Sequence, residues 1–118
     1  MPDRYTEKKA LLPSSYVEFM ETFNGWEGDL GEVLGYIALW DRESIHERWI
    51  DYEMAQNLND RWFSFGSNGG GEMLCFDLAS GGDRIFWIPF VGMSGEEAIL
   101  RSHTFKTIAD RIGEIHGS

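Results

Sequence analysis

Two stretches of the chain hold residue types that could do chemistry at a recognisable spacing. In Arg61–Leu78, RWFSFGSNGGGEMLCFDL, the glycines Gly69, Gly70 and Gly71 follow Gly66 and Asn68. A glycine-rich loop can cradle a phosphate when a helix begins directly after it, because the first amides of the helix are free and its dipole is positive there. Here the glycines run into Glu72-Met73-Leu74-Cys75-Phe76-Asp77-Leu78, which alternates and is rich in strand formers. The triphosphate loop also needs Gly-Lys-Ser/Thr, and no lysine is near; the dinucleotide pattern Gly-x-Gly-x-x-Gly fails at Asn68. The expectation is a tight reversal between two strands, where positive φ favours Gly and Asn.

The second stretch is HERWI, His46–Ile50, which begins like the zinc-protease motif His-Glu-x-x-His. Ile50 occupies the second ligand position, so the two-histidine face is missing. His103 and His116 are scattered elsewhere, and no calcium loop of alternating Asp/Asn with Gly and a closing Glu is present. Cys75, the one cysteine, falls mid-strand and reads as a small buried hydrophobe. Ser14, Ser15 and Ser102 read as helix caps rather than nucleophiles. With 20 acidic residues, some carboxylate pair always looks suitable for acid–base work, so number alone identifies none. The reading is a protein that is not an enzyme, with no catalytic residues, no metal and no cofactor.

The elements that position these residues follow from periodicity. In LPSSYVEFMETFNG, Tyr16, Phe19, Met20 and Phe23 fall at i, i+3, i+4 and i+7, predicting a helix with one buried stripe. Pro13 bars an earlier start, Ser15 and Glu18 fit a capping box, and Asn24-Gly25 supplies a left-handed stop. Residues 31–41, GEVLGYIALWD, read as a strand or two short strands with Gly35 at a bulge or bend. RESIHERWIDYEMAQNLND reads as a helix with Ile45, Trp49 and Tyr52 on its inner face. Three strands are expected at Arg61–Phe65, Glu72–Leu78 and Arg84–Pro89, joined by the glycine turn and by ASGGD. SHTFKTIADRIGEI reads as a helix capped by Ser102, with Phe105, Ile108, Ala109 and Ile112 inward. The order helix, strand, helix, three strands, helix implies an α+β fold: an antiparallel sheet of about four to five strands with helices packed on it.

At 118 residues the chain reads as one domain, 1–118, large enough to bury about 65% of its unfolded surface. No apolar run approaches the ~18 residues of a membrane span, the N-terminus lacks the apolar stretch of a signal peptide, and a lone cysteine forms no internal disulfide. Together these point to the cytoplasm. The net charge of −10 is unevenly spread: residues 18–60 hold eleven acids against Arg42 and Arg48. Nucleic acid is a poor direct partner for such a surface, because phosphate neutralisation needs Lys and Arg. A basic protein partner is favoured, with solubility as the competing reason for the acids.

Several of these residues also carry a family resemblance. LPSSYVEFMETFNG resembles the opening signature of the SUKH superfamily, which includes the fungal Smi/Knr cell-wall assembly regulators, through Leu12, Pro13, Tyr16, Phe19, Asn24 and Gly25. WFSFGSNGGGEMLCFDL is similar to its second signature, strand–glycine turn–strand, through Phe63, Phe65, Gly66, Gly71, Phe76 and Asp77. IFWIPF, and a late helix with Ser102 and Phe105, complete a likeness spanning about residues 11–115. Members usually carry a helix before the Leu-Pro. Only eleven residues precede Leu12, with room for two turns, so a shortened N-terminal layer is expected.

The resemblance implies a non-enzymatic protein-binding domain. In bacteria such domains are similar to immunity proteins that neutralise secreted toxins, often nucleases or deaminases; in fungi they look like signalling scaffolds. Two functions follow: toxin immunity by direct blockade through an acidic surface, or a regulatory scaffold with an endogenous partner. The expected partner-binding residues are Trp26, Glu27, Asp29, Glu32, Glu47 and Asp51, because the acids flank a polar turn or lie off the apolar helix stripe. Trp26, Trp40 and Trp49 are the possible aromatic anchors, with core packing the competing role, above all for Trp49. The protein is expected to be a monomer or weak homo-oligomer.

Overall fold

The computed structural model describes residues 3–117. Asp3 opens the first helix, α1 (Arg4–Lys8), by accepting the Thr6 amide at 2.7 Å. A single 3-10 turn, Lys9–Leu11, follows. The N-terminal layer is therefore present and short, and it is pinned by a buried cation. The Arg4 guanidinium donates to Asp60 at 2.6 Å and to the Trp62 carbonyl at 2.9 Å, and lies 3.6 Å from the Trp49 ring centre. These contacts fasten α1 to later parts of the chain, and ring stacking of this kind suits the flat guanidinium.

Helix α2 (Ser14–Phe23) begins after Pro13 and ends at Asn24, whose φ is 47°. The capping box is not formed: the first turn is closed by the Tyr16 and Val17 amides on the Pro13 carbonyl. Ser15 Oγ is instead buried with no hydrogen-bond partner among the described residues. Tyr16, Phe19 and Met20 are buried as the stripe requires, but Phe23 is 40% exposed. Its ring stacks on Phe19 at 4.9 Å. The helix ends there and the chain turns back, so the ring overhangs the end of the core and is only partly covered.

The sheet has six strands in sequential order, all antiparallel: β1 (Trp26–Asp29), β2 (Tyr36–Leu39), β3 (Trp62–Ser67), β4 (Glu72–Asp77), β5 (Arg84–Pro89) and β6 (Ile99–Thr104). The expected α+β class holds, with two strands at the edges that periodicity missed. β1 was expected as part of a polar turn. The turn actually falls at residues 30–35, where Gly31 and Gly35 take φ of 106° and 70°. β6 contains Ser102, which therefore caps nothing. The last helix, α5 (Phe105–Gly117), is opened by Thr104, whose Oγ1 accepts the Thr107 amide at 3.4 Å.

The expected long helix after residue 41 is two: α3 (Arg42–Asp51), capped by Asp41, and α4 (Met54–Asn57). Glu53, at φ 51°, breaks the run. That break turns Tyr52 outward, 46% exposed, whereas Ile45 stays buried.

The core lies between sheet and helices. Phe65 and Phe76 stack at 4.2 Å, and Tyr16 meets Phe63, Phe65, Phe76 and Phe105 at 5.1–6.0 Å, mostly edge-on. Cys75 is buried on the opposite face, and burial pushes its thiol up to about 12.

The glycine turn joins β3 to β4 as an antiparallel hairpin, with Gly69 and Gly71 at φ 76° and 95°. Asn68 Oδ1 accepts the Gly70 amide at 2.8 Å and the Glu72 amide at 3.3 Å. Amides that a phosphate would need are thus used within the turn itself.

Candidate functional site

The expected binding residues divide between two surfaces. The first is the β1–β2 hairpin, and the end of α2 decides its place. Asn24 Oδ1 accepts the Arg42 amide at 3.1 Å, tying that end to the start of α3. Gly25, at φ 109°, sits where a Cβ would be 3.1 Å from both the Leu39 carbonyl and the Asp41 amide. Only glycine lets the chain pass this close before it becomes an edge strand.

Along β1 the side chains alternate, with Trp26 and Gly28 partly buried and Glu27 and Asp29 exposed. Trp26 lies across Gly28, where an added Cβ would stand 2.6 Å from the indole. Its N–H donates to His116 Nε2 of α5 at 2.8 Å. His116 in turn sits 5.7 Å from the Phe23 ring. Phe23, Trp26 and His116 therefore make an aromatic corner where α2, β1 and α5 meet. Trp26 belongs to this corner as a partly covered ring rather than a free-standing anchor.

On the other face, Glu27 pairs with Ala38 and Asp29 with Tyr36. The Tyr36 hydroxyl donates to Glu27, and that bond raises the Tyr36 phenol above its ordinary value. Tyr36 is 39% exposed and its ring lies over Gly69, where a Cβ would be 2.9 Å away. Asp29 Oδ1 accepts the Gly31 amide at 2.8 Å. Both carboxylates keep unused lone pairs facing solvent. Glu32 stands exposed in the turn, beside an open groove between residues 30–34 and the α5 residues Thr107, Asp110 and Arg111.

The second surface is one turn of α3. Glu47 and Asp51 line a shallow hollow with Arg48 and Tyr52. Arg48 stacks 4.7 Å from the Trp40 ring, and Tyr52 meets Phe90 at 5.4 Å. A cation thus sits among these two acids; the hairpin's own residues 26–39 include none, although Arg111 of α5 reaches its turn by donating to the Leu30 carbonyl at 3.2 Å. Helix α3 packs on α1, α4 and β3, while β1 packs on β2. Glu47 and Asp51 are not brought together with Glu27, Asp29 and Glu32 by any hydrogen bond or ion pair among the described residues. Of the other tryptophans, Trp40 is buried and Trp49 partly so, the latter beneath Arg4. Neither is an exposed anchor.

Sequence reasoning missed Phe23, Tyr36 and His116. Phe23 matched the core stripe, and only its place immediately before Asn24-Gly25 hinted that it would overhang. For His116 no local signal exists, since its partner is 90 residues away in sequence. Among the described residues no group of three His, Cys, Asp or Glu side chains is arranged to hold a metal ion. No described helix is long and apolar enough to cross a membrane.

Residues 6–111 match the model of the SMI1 / KNR4 family (SUKH-1), and the chain belongs to that family. No curated protein matches it. The antiparallel sheet with Leu12-Pro13 before α2, the glycine hairpin and the closing helix agree with the resemblance read from the sequence.

Proposed function

We propose that this SUKH-1 domain is a non-enzymatic binding protein that neutralises a cognate bacterial toxin by covering its basic site with an acidic surface. The observation that carries the proposal is the β1–β2 hairpin. Residues 26–39 contain Glu27, Asp29 and Glu32 and no Lys or Arg, and all three acids are exposed or partly so at an open edge of the sheet. A toxin that cleaves nucleic acid must bind phosphate, so its cleft is basic. An acidic surface can occupy such a cleft and associate fast through electrostatic steering. The hairpin is the better of the two surfaces, because Glu47 and Asp51 share their hollow with Arg48. The aromatic corner of Phe23, Trp26 and His116 adds apolar area beside the charge, the combination that tight interfaces use.

The test is co-expression with the protein encoded next to this chain, followed by affinity capture. Relief of that protein's toxicity, together with a direct complex of the two, supports immunity. A neighbour that is harmless and unbound, with an endogenous regulatory protein captured instead, replaces this reading with that of a scaffold.

A further inference from the structure

We infer that the free edge of β1 receives an extended segment of the partner, added as a seventh strand whose side chains alternate basic and apolar. The inference rests on the protein-binding reading above and names the mode of contact.

The hydrogen-bond phase of the hairpin comes first. The Leu30 amide donates to the Gly35 carbonyl at 2.9 Å, and the register pairs Gly28 with Ile37 and Trp26 with Leu39. In an antiparallel ladder the bonded pairs alternate with non-bonded ones. Gly28 and Trp26 therefore turn their backbone groups toward β2, in phase with the Leu30 amide, while the Leu30 carbonyl accepts from Arg111 Nε at 3.2 Å. Glu27 and Asp29, opposite Ala38 and Tyr36, turn theirs outward. β1 lies at the edge of the sheet, so these two N–H and two C=O groups face no strand. An added strand could satisfy all four, which is how extended peptides bind sheet edges.

The side chains then choose the occupant. Cross-strand neighbours share a face, so residues placed opposite Glu27 and Asp29 meet two carboxylates and should be Lys or Arg. The intervening residues meet the face of Trp26 and Phe23 and should be apolar. A second copy of this chain is disfavoured, because pairing β1 with itself sets Glu27 and Asp29 against their own copies, and like charges opposite one another destabilise a sheet. The other open edge differs in kind: β6 exposes Ile99 and Leu100, carries Arg101, and holds no acid. A basic segment thus has one complementary edge to join.

The experiment is amide hydrogen exchange on the full chain, read residue by residue by NMR. It is run alone, with the protein encoded beside it, and with synthetic peptides Lys-Val-Lys-Val-Lys and Glu-Val-Glu-Val-Glu. In the free chain the Gly28 amide should exchange slowly and those of Glu27 and Asp29 fast; slow exchange at both in the free chain overturns the inference. The neighbour protein and the basic peptide should each slow Glu27 and Asp29, and the acidic peptide should not. If the neighbour binds without protecting these amides, the edge is not the docking site, and the protein-binding reading survives. If the neighbour does not bind, that reading fails, and the peptides decide alone: no response to the basic one, or an equal response to both, overturns the inference. Glu27→Pro removes one outward donor and also the carboxylate that accepts from Tyr36, so it is compared with Glu27→Ala, which loses the same carboxylate and keeps the amide. Glu27→Pro should bind about three- to ten-fold more weakly than Glu27→Ala, one hydrogen bond's worth, and equal affinity of the two folded variants counts against the inference.

Discussion

The side chain at the centre of the core, Tyr16, carries a hydroxyl with no hydrogen-bond partner among the described residues. Tyr16 is fully buried and its ring touches Tyr5, Phe63, Phe65, Phe76 and Phe105. A buried donor left unpaired forfeits its hydration, about 1–3 kcal/mol, with nothing returned. Tyr16→Phe removes that oxygen and keeps every ring contact. Set against it is the void of one atom, a fraction of the ~1 kcal/mol a missing methyl group costs. The net expectation is a gain of about 0–2 kcal/mol. A tyrosine whose hydroxyl is bonded should instead lose about 1 kcal/mol on the same change, so the sign is diagnostic.

Urea denaturation at neutral pH reads it, with the midpoint rising at unchanged slope. A second readout is alkaline. Burial raises the Tyr16 phenol well above its ordinary value. In the unfolded chain it ionises near pH 10. The folded state then holds the proton that the unfolded state releases, so stability is complete below about pH 10 and drains above it, by about 1.4 kcal/mol per pH unit for this group. Tyr16→Phe should flatten that decline; Tyr5, raised for the same first reason, should retain its share. A loss of 1 kcal/mol or more at neutral pH, with an unchanged alkaline slope, would refute the account of an unpaired hydroxyl.

Other changes test the rest of the structure. Phe76→Ala should lose about 3–5 kcal/mol and the half-exposed Phe23→Ala less than about 1.5, in the same urea assay; equal losses would put Phe23 back in the core. Gly66→Ala places a Cβ 2.4 Å from the Ala38 carbonyl and should destabilise by about 1–3 kcal/mol, read as a lower thermal midpoint. Asp77 accepts both Arg61 Nε and Nη2, at 2.8 and 2.7 Å, and this bidentate bond, with those from Ser80 and Ala79, holds its carboxyl well below the ordinary range despite opposing burial. Its stabilisation is present above about pH 4 and is lost as pH falls through the depressed folded value, so the gap between wild type and Asp77→Asn should narrow in acid. Reversing Glu27 and Asp29 to Lys should slow association with the partner and flatten its salt dependence, while costing about 1–2 kcal/mol of stability through the lost bonds from Tyr36 and Gly31; rates and salt slopes identical to wild type would remove these acids from the steering surface.

Local rules determined much of this protein. The i, i+3, i+4, i+7 stripe of α2, the alternation of β3–β5, and the need for positive φ in the glycine turn are properties of neighbours along the chain, and they made the α+β class legible. They also placed Phe76 and Ile108 inside. Tertiary structure decided what lies at the margins. Phe23 satisfies the stripe yet is exposed, because burial depends on whether the sheet extends beneath the helix end. Residues 26–29 became a strand because Gly25 and Asn24 turn the chain back against β2, with which they pair across the turn at residues 30–35. Ser102 went to β6 rather than a cap because β5 offered a free edge to pair with. The expected binding residues divided for the same reason. Glu27, Asp29 and Glu32 share a hairpin and were bound to be neighbours, but their distance from Glu47 and Asp51 is fixed by where α3 packs. No periodicity within either segment encodes that packing, since it is set by contacts such as Arg4 with Asp60 and Trp49, brought together across more than forty residues of chain.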